Sequence, residues 1–72
     1  MYSNPQLTSR QREIAGLVAM GMSNKEIAHY LGLRNQTVRN TLVHVFRKTY
    51  VRKRTQLAVK LVLAELSLNP AE

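Results

Sequence analysis

Arg39, Asn40 and Val43 stand at i, i+1 and i+4, a spacing that sets three chemically different side chains on one helix face. An arginine can make a paired hydrogen bond to guanine, an asparagine can do the same to adenine, and a valine can touch the thymine methyl. Gln36 and Arg47 extend this face. Arg34, Gln36 and Thr37 stand at its N-terminal end, where phosphates and nearby base edges are within reach. The competing reading is an ordinary solvated helix face.

The charge pattern weighs against that second reading. Eleven Lys and Arg and four acidic residues give a net charge of +7. Residues 1–33 hold Arg10, Arg12 and Lys25 together with Glu13 and Glu26. Residues 34–60 hold Arg34, Arg39, Arg47, Lys48, Arg52, Lys53, Arg54 and Lys60 and no carboxylate. Solvated surfaces normally mix both signs. A wholly basic stretch beside a near-neutral one points to a polyanion.

Four helices must position these groups. Thr8 and Gln11 match a capping box, and Ile14, Leu17 and Val18 follow at helical spacing, so a first helix is expected over about 9–20 with Gly21 as its stop. Ser23 and Glu26 form a second capping box for a short helix over about 24–31, ended by Gly32. A third helix is expected from Asn35, whose side chain can cap it, to about Thr49. Val38, Leu42, Val45 and Phe46 form its apolar face. A basic link begins at Val51, and a fourth helix covers about 54–67, closed by Asn69-Pro70. Residues 1–6 and 69–72 are expected to be tails around one domain over 7–68.

The second and third helices are joined tightly. Ala28, Gly32 and Val38 form an A-x3-G-x5-V spacing: a small residue where the helices cross, a glycine where the turn demands positive φ, and a β-branched wedge between them. This is the spacing of a helix-turn-helix, in which the second helix of the pair enters the major groove and the first straddles the backbone.

These residues carry a resemblance. L-T-S-R-Q-R-E-I (7–14), S-N-K-E-I-A (23–28) and T-V-R-N (37–40), followed by Lys48, Val51, Arg54 and Ala58, look like the LuxR/GerE/FixJ-type DNA-binding domain over about Leu7 to Leu66. The resemblance implies an all-α, four-helix fold. It also implies a sequence-specific transcription regulator that dimerises through its fourth helix on a pseudo-palindromic site. By position, Arg39, Asn40 and Val43 fall on the family's base-reading positions, and Asn24, Lys25, Thr37 and Lys48 on its phosphate-contacting or groove-flanking ones. Glu26 and Arg54 fall on positions read as structural. Arg34 stands where the family usually has a Ser or Thr cap, Thr41 where a His is common, and Thr49 where a Leu is common. RNA polymerase is kept in view as a further partner.

The fourth helix has two apolar arcs. Leu57, Leu61, Ala64 and Leu68 form one; Ala58, Val59, Val62, Leu63 and Leu66 form the other. A chain of 72 residues buries only about 60% of its unfolded surface, so there is little core left to cover the second arc. Val59, Val62, Leu63 and Leu66 are therefore expected at a homodimer interface, unless the whole helix is sunk in the core.

Other classes fare worse. No Cys and no Asp accompany His29 and His44, which lie on different helices, so a nucleophilic triad or a metal site is not expected, nor is an enzyme or a cofactor. The apolar run Leu61–Ala64 is far short of the roughly 20 residues that span a bilayer, and Met1–Gln6 lacks an apolar signal segment, so a cytoplasmic protein is expected. The remaining alternative is a basic helical module on a protein partner or an anionic membrane surface.

Overall fold

Helix formation in this chain starts at two reciprocal caps, and the computed structural model, which describes residues 7–67 and the side chains of 7–63, has both. The Gln11 amide donates to Thr8 Oγ1 at 3.1 Å and Thr8 N–H donates back to Gln11 Oε1 at 3.0 Å. Glu26 N–H and Ser23 Oγ are 3.1 Å apart, with the return bond to Glu26 Oε1 at 2.8 Å. Two otherwise orphaned amides are satisfied at each start. The helices are α1 (Ser9–Ala19), α2 (Asn24–Leu31), α3 (Asn35–Thr49) and α4 (Arg54–Ser67). No strand occurs among the described residues. The tails expected at 1–6 and 69–72, and Leu68, lie outside them.

The first three helices stop in the same way. The backbone turns left-handed at Gly21, Gly32 and Tyr50, and a pair of amides reaches back to carbonyls near the helix end. After α2, Leu33 N–H bonds Ala28 O at 2.8 Å, and Gly32 N–H bonds His29 O at 3.4 Å. Gly32 has φ +69°, the conformation that its place in the turn requires. After α3 the same role falls to Tyr50, at φ 61° and ψ 33°, with Val51 N–H on Phe46 O at 3.1 Å. A side chain in this region costs about 1 kcal/mol or more relative to glycine.

The start of α3 departs from expectation. Its cap position is Arg34, with extended backbone (φ −81°, ψ 150°), and Asn35 is already the first helical residue. An asparagine inside the helix cannot fold back on the amides that follow, and arginine has no acceptor. No side-chain cap bond is therefore made at α3. Arg34→Ser should supply one and raise stability by about 1 kcal/mol, read as a higher denaturant midpoint at unchanged slope. An unchanged midpoint would mean that the first turn gains nothing from a cap.

The core draws on every helix: Leu7, Ile14, Ala15 and Val18, then Ile27 and Ala28, then Val38, Leu42 and Val45, and finally Leu57. α1 packs against each of the other three, and α3 packs on α1 and α2. Each large side chain buried here contributes on the order of 1.5–3 kcal/mol. Thr49, also buried, donates its hydroxyl to Val45 O at 2.8 Å, so its polar atom is satisfied within its own helix. The end of α3 is thus packed although threonine stands there.

α4 is fastened by cations on uncharged oxygens. Arg54 Nη1 donates to Asn24 Oδ1 at 2.5 Å and Nη2 to Met22 O at 2.6 Å, which ties the start of α4 to the α1–α2 turn. Lys60 Nζ donates to Thr49 O at 2.6 Å, closing the carbonyl end of α3. Gln56 Oε1 accepts from the Arg52 and Lys53 amides at 2.8 and 3.2 Å, so the first turn of α4 is capped from within. No helix of the described residues is long and apolar enough to cross a membrane.

Candidate nucleic-acid interface

α3 divides cleanly into two faces. Val38, Leu42, Val45 and Thr49 point into the core, and Gln36, Arg39, Asn40, Val43, His44 and Arg47 are exposed. The rigid half of the helix therefore fixes the free half, as a recognition surface requires. Val43 is 52% exposed, a large apolar side chain left in water beside polar neighbours.

Three of the expected side chains meet. Arg39 Nη2 donates to Gln36 Oε1 at 2.9 Å, and Gln36 Nε2 donates to Asn40 Oδ1 at 2.9 Å. Val43 lies one turn on from Arg39 on the same exposed face. Thr41 turns its hydroxyl onto Thr37 O at 2.8 Å, so it is satisfied within the helix. Arg34 and Thr37 are exposed at the N-terminal end of α3, and Lys25 is exposed in the first turn of α2.

Besides Gln36, two of the residues expected at phosphates have partners within the fold. Asn24 accepts from Arg54 Nη1 through its side-chain oxygen. Lys48, half-buried, donates to Gln11 Oε1 at 3.0 Å and so joins α3 to the cap of α1. A shallow cleft lined by Asn24, Arg39, Leu42, Val43, Phe46 and Arg54 runs between the start of α2 and α3. Lys60 and Tyr50, which position the α3–α4 junction, were not legible as such in the sequence. A lysine nearly two turns into a helix and a tyrosine before a basic link carry no distinctive spacing.

On α4, Leu57 is buried and Leu61 packs against the core, whereas Val59, Val62 and Leu63 are 56%, 52% and 59% exposed. Among the described side chains, the helix is not sunk in the core, and Val59, Val62 and Leu63 of its second arc are exposed. Leu66 is part of α4, but its side chain lies outside the described residues.

Comparison with known proteins decides the family. The profile of the bacterial regulatory proteins of the luxR family matches residues 5–61, most of the chain. This chain belongs to that family. Its luxR-type relatives include the spore germination protein GerE of Bacillus subtilis, 39% identical over 67 residues, which cover 92% of this chain and 90% of GerE. The monoamine regulon transcriptional regulator of Klebsiella aerogenes is 47% identical over 51 residues, 71% of this chain and 22% of that protein. The nitrate/nitrite response regulator NarL of Escherichia coli K12 is 39% identical over 54 residues, 75% of this chain and 25% of NarL. The chain spans about a quarter of the length of several such regulators, with shares of 22%, 28% and 24%. Among its described residues the luxR-type chain is a four-helix, DNA-binding helix-turn-helix domain of this family of bacterial regulatory proteins.

Proposed function

We propose that this luxR-type domain binds specific duplex sites through the exposed face of α3 in the major groove, acting as a pair on a pseudo-palindromic operator. The observation that carries the reading is that face: Arg39, Asn40 and Val43 project from a helix whose other side is locked in the core, within a stretch free of carboxylates. Arg39 reads guanine, Asn40 adenine and Val43 a thymine methyl. Lys25, Arg34 and Thr37 hold phosphates at the edges of the groove. Asn24 and Lys48 flank it, and both are held in place by partners within the fold.

Selection from a randomised duplex pool, followed by fluorescence anisotropy on the enriched sequence, tests this. A sequence preference that survives excess anionic vesicles supports it. Strong vesicle binding with indifference to base sequence would replace it with the membrane-surface reading.

The open arc of α4 supports pairing. With Val59, Val62, Leu63 and Leu66 joined across a two-fold axis, the two α3 helices can lie one DNA turn apart, about 34 Å. Val62→Glu puts a charge in that contact. It should reduce the dimer in sedimentation and lower affinity for a two-half-site duplex much more than for a single half-site. Equal losses on both duplexes would remove Val62 from the interface. RNA polymerase, as a protein that a DNA-bound regulator can touch, is a further proposed partner, and a cytoplasmic location accords with both.

A further inference from the structure

The bonds along α3 give Gln36 a different role from the phosphate contact that its place near the helix start suggests. Arginine can only donate, so the bond from Arg39 fixes which end of the Gln36 amide is oxygen. The other end is then a donor, and it fixes Asn40 in turn with Oδ1 towards Gln36. One side chain thus sets the orientation of two others. No carboxylate occurs anywhere in residues 34–60 to compete for Arg39. A neutral amide holds the guanidinium without adding a negative charge that would repel phosphate. Thr41, which also lies beside Asn40 in sequence, has its hydroxyl committed to the backbone.

We propose that Gln36 is a positioning residue for base recognition, holding Arg39 and Asn40 in one line and in one sense, so that the face selects a guanine and an adenine rather than their complements. The proposal rests on the groove reading above and deepens it. Arg39 keeps its remaining N–H groups for the O6 and N7 acceptors of guanine. Asn40 keeps both N–H groups of Nδ2 and one lone pair of Oδ1, the donor and acceptor that adenine N7 and N6 require. Because the side chains are held before DNA arrives, less rotamer freedom is lost on binding.

The experiment starts from the duplex enriched by the wild-type protein and measures affinity for it and for each single-base variant. Arg39→Ala and Asn40→Ala first identify the position each residue reads, as the position where preference collapses. Gln36→Ala should then lower the preference at both positions by roughly three- to tenfold, the range expected for losing one ordinary hydrogen bond at each. Its salt dependence and thermal unfolding should stay as in the wild type. Gln36→Glu adds a readout that a purely structural role would not move. A carboxylate offers only acceptors, so it keeps Arg39 but pairs with Asn40 Nδ2 and turns that amide over. Preference should persist at the Arg39 position and move off adenine at the Asn40 position.

If Gln36→Ala leaves both preferences intact and weakens binding to every duplex alike, Gln36 is a phosphate contact and the proposal is overturned. If Gln36→Glu leaves adenine preferred, the orienting role is overturned as well. If Arg39→Ala and Asn40→Ala themselves relax no position, the groove reading fails, and this proposal fails with it.

Discussion

Arg54→Ala is expected to lower the stability of the domain by about 2–4 kcal/mol, although Arg54 lies outside the hydrophobic core. The guanidinium donates to Asn24 Oδ1 and to Met22 O, both across the boundary between α4 and the α1–α2 turn. Hydrogen bonds from charged groups contribute about 1.5–3 kcal/mol each, and the truncation leaves a half-buried carbonyl without its donor. Half-burial lets water replace part of what is lost, which keeps the expected total below the sum of two such bonds. Equilibrium urea unfolding measures it. Arg54→Lys keeps charge and stem but not the fork, so it should retain the bond to one oxygen only and fall between the two. Arg52→Ala, at an exposed neighbouring side chain, should shift stability by less than about 0.5 kcal/mol. Equal behaviour of the Arg52 and Arg54 variants would show that the fork adds nothing to the fold.

Arg39→Ala should cost about 1–3 kcal/mol of binding to the preferred duplex and flatten discrimination at one base position. Its signature is the asymmetry between sites. Affinity for duplexes already altered at that position should change far less than affinity for the preferred one. Lys25→Ala is the contrasting case: it should weaken every duplex alike and reduce the slope of log affinity against log salt by about one ion. Anisotropy titrations of both variants at several salt concentrations separate base reading from phosphate contact. If Arg39→Ala behaved as Lys25→Ala is expected to, Arg39 would be a backbone contact.

The features legible in the sequence were those governed by residues close together along the chain. Thr8 with Gln11, Ser23 with Glu26 and the glycines at 21 and 32 act over a few positions, so the starts of α1 and α2 and the stops after them could be read directly. The face of α3 followed from periodicity, because an apolar residue on one side obliges its neighbours to the other. Asn35 misled because a good capping residue is useful only with extended backbone, and here Arg34 has that conformation. The tie of Lys48 to Gln11 and those of Arg54 and Lys60 to the turns join residues distant in sequence, and nothing local announces them. The sequence also placed Gln36 on the right face without showing that its amide lies between Arg39 and Asn40. Side-chain partners on a helix surface depend on rotamers, which spacing alone does not determine.

The cations that hold α4 end on an amide oxygen and on backbone carbonyls, not on carboxylates. Dissolved salt screens such charge–dipole contacts at hydrogen-bond distance only weakly, whereas it competes directly for the phosphates of a duplex. The same chemical group thus serves two purposes with opposite sensitivities. Raising ionic strength loosens the grip on DNA while leaving the clamps of the fold closed. Release from nucleic acid and loss of structure are therefore expected to be separable events in this domain, with the chain still folded at a salt concentration that abolishes duplex binding.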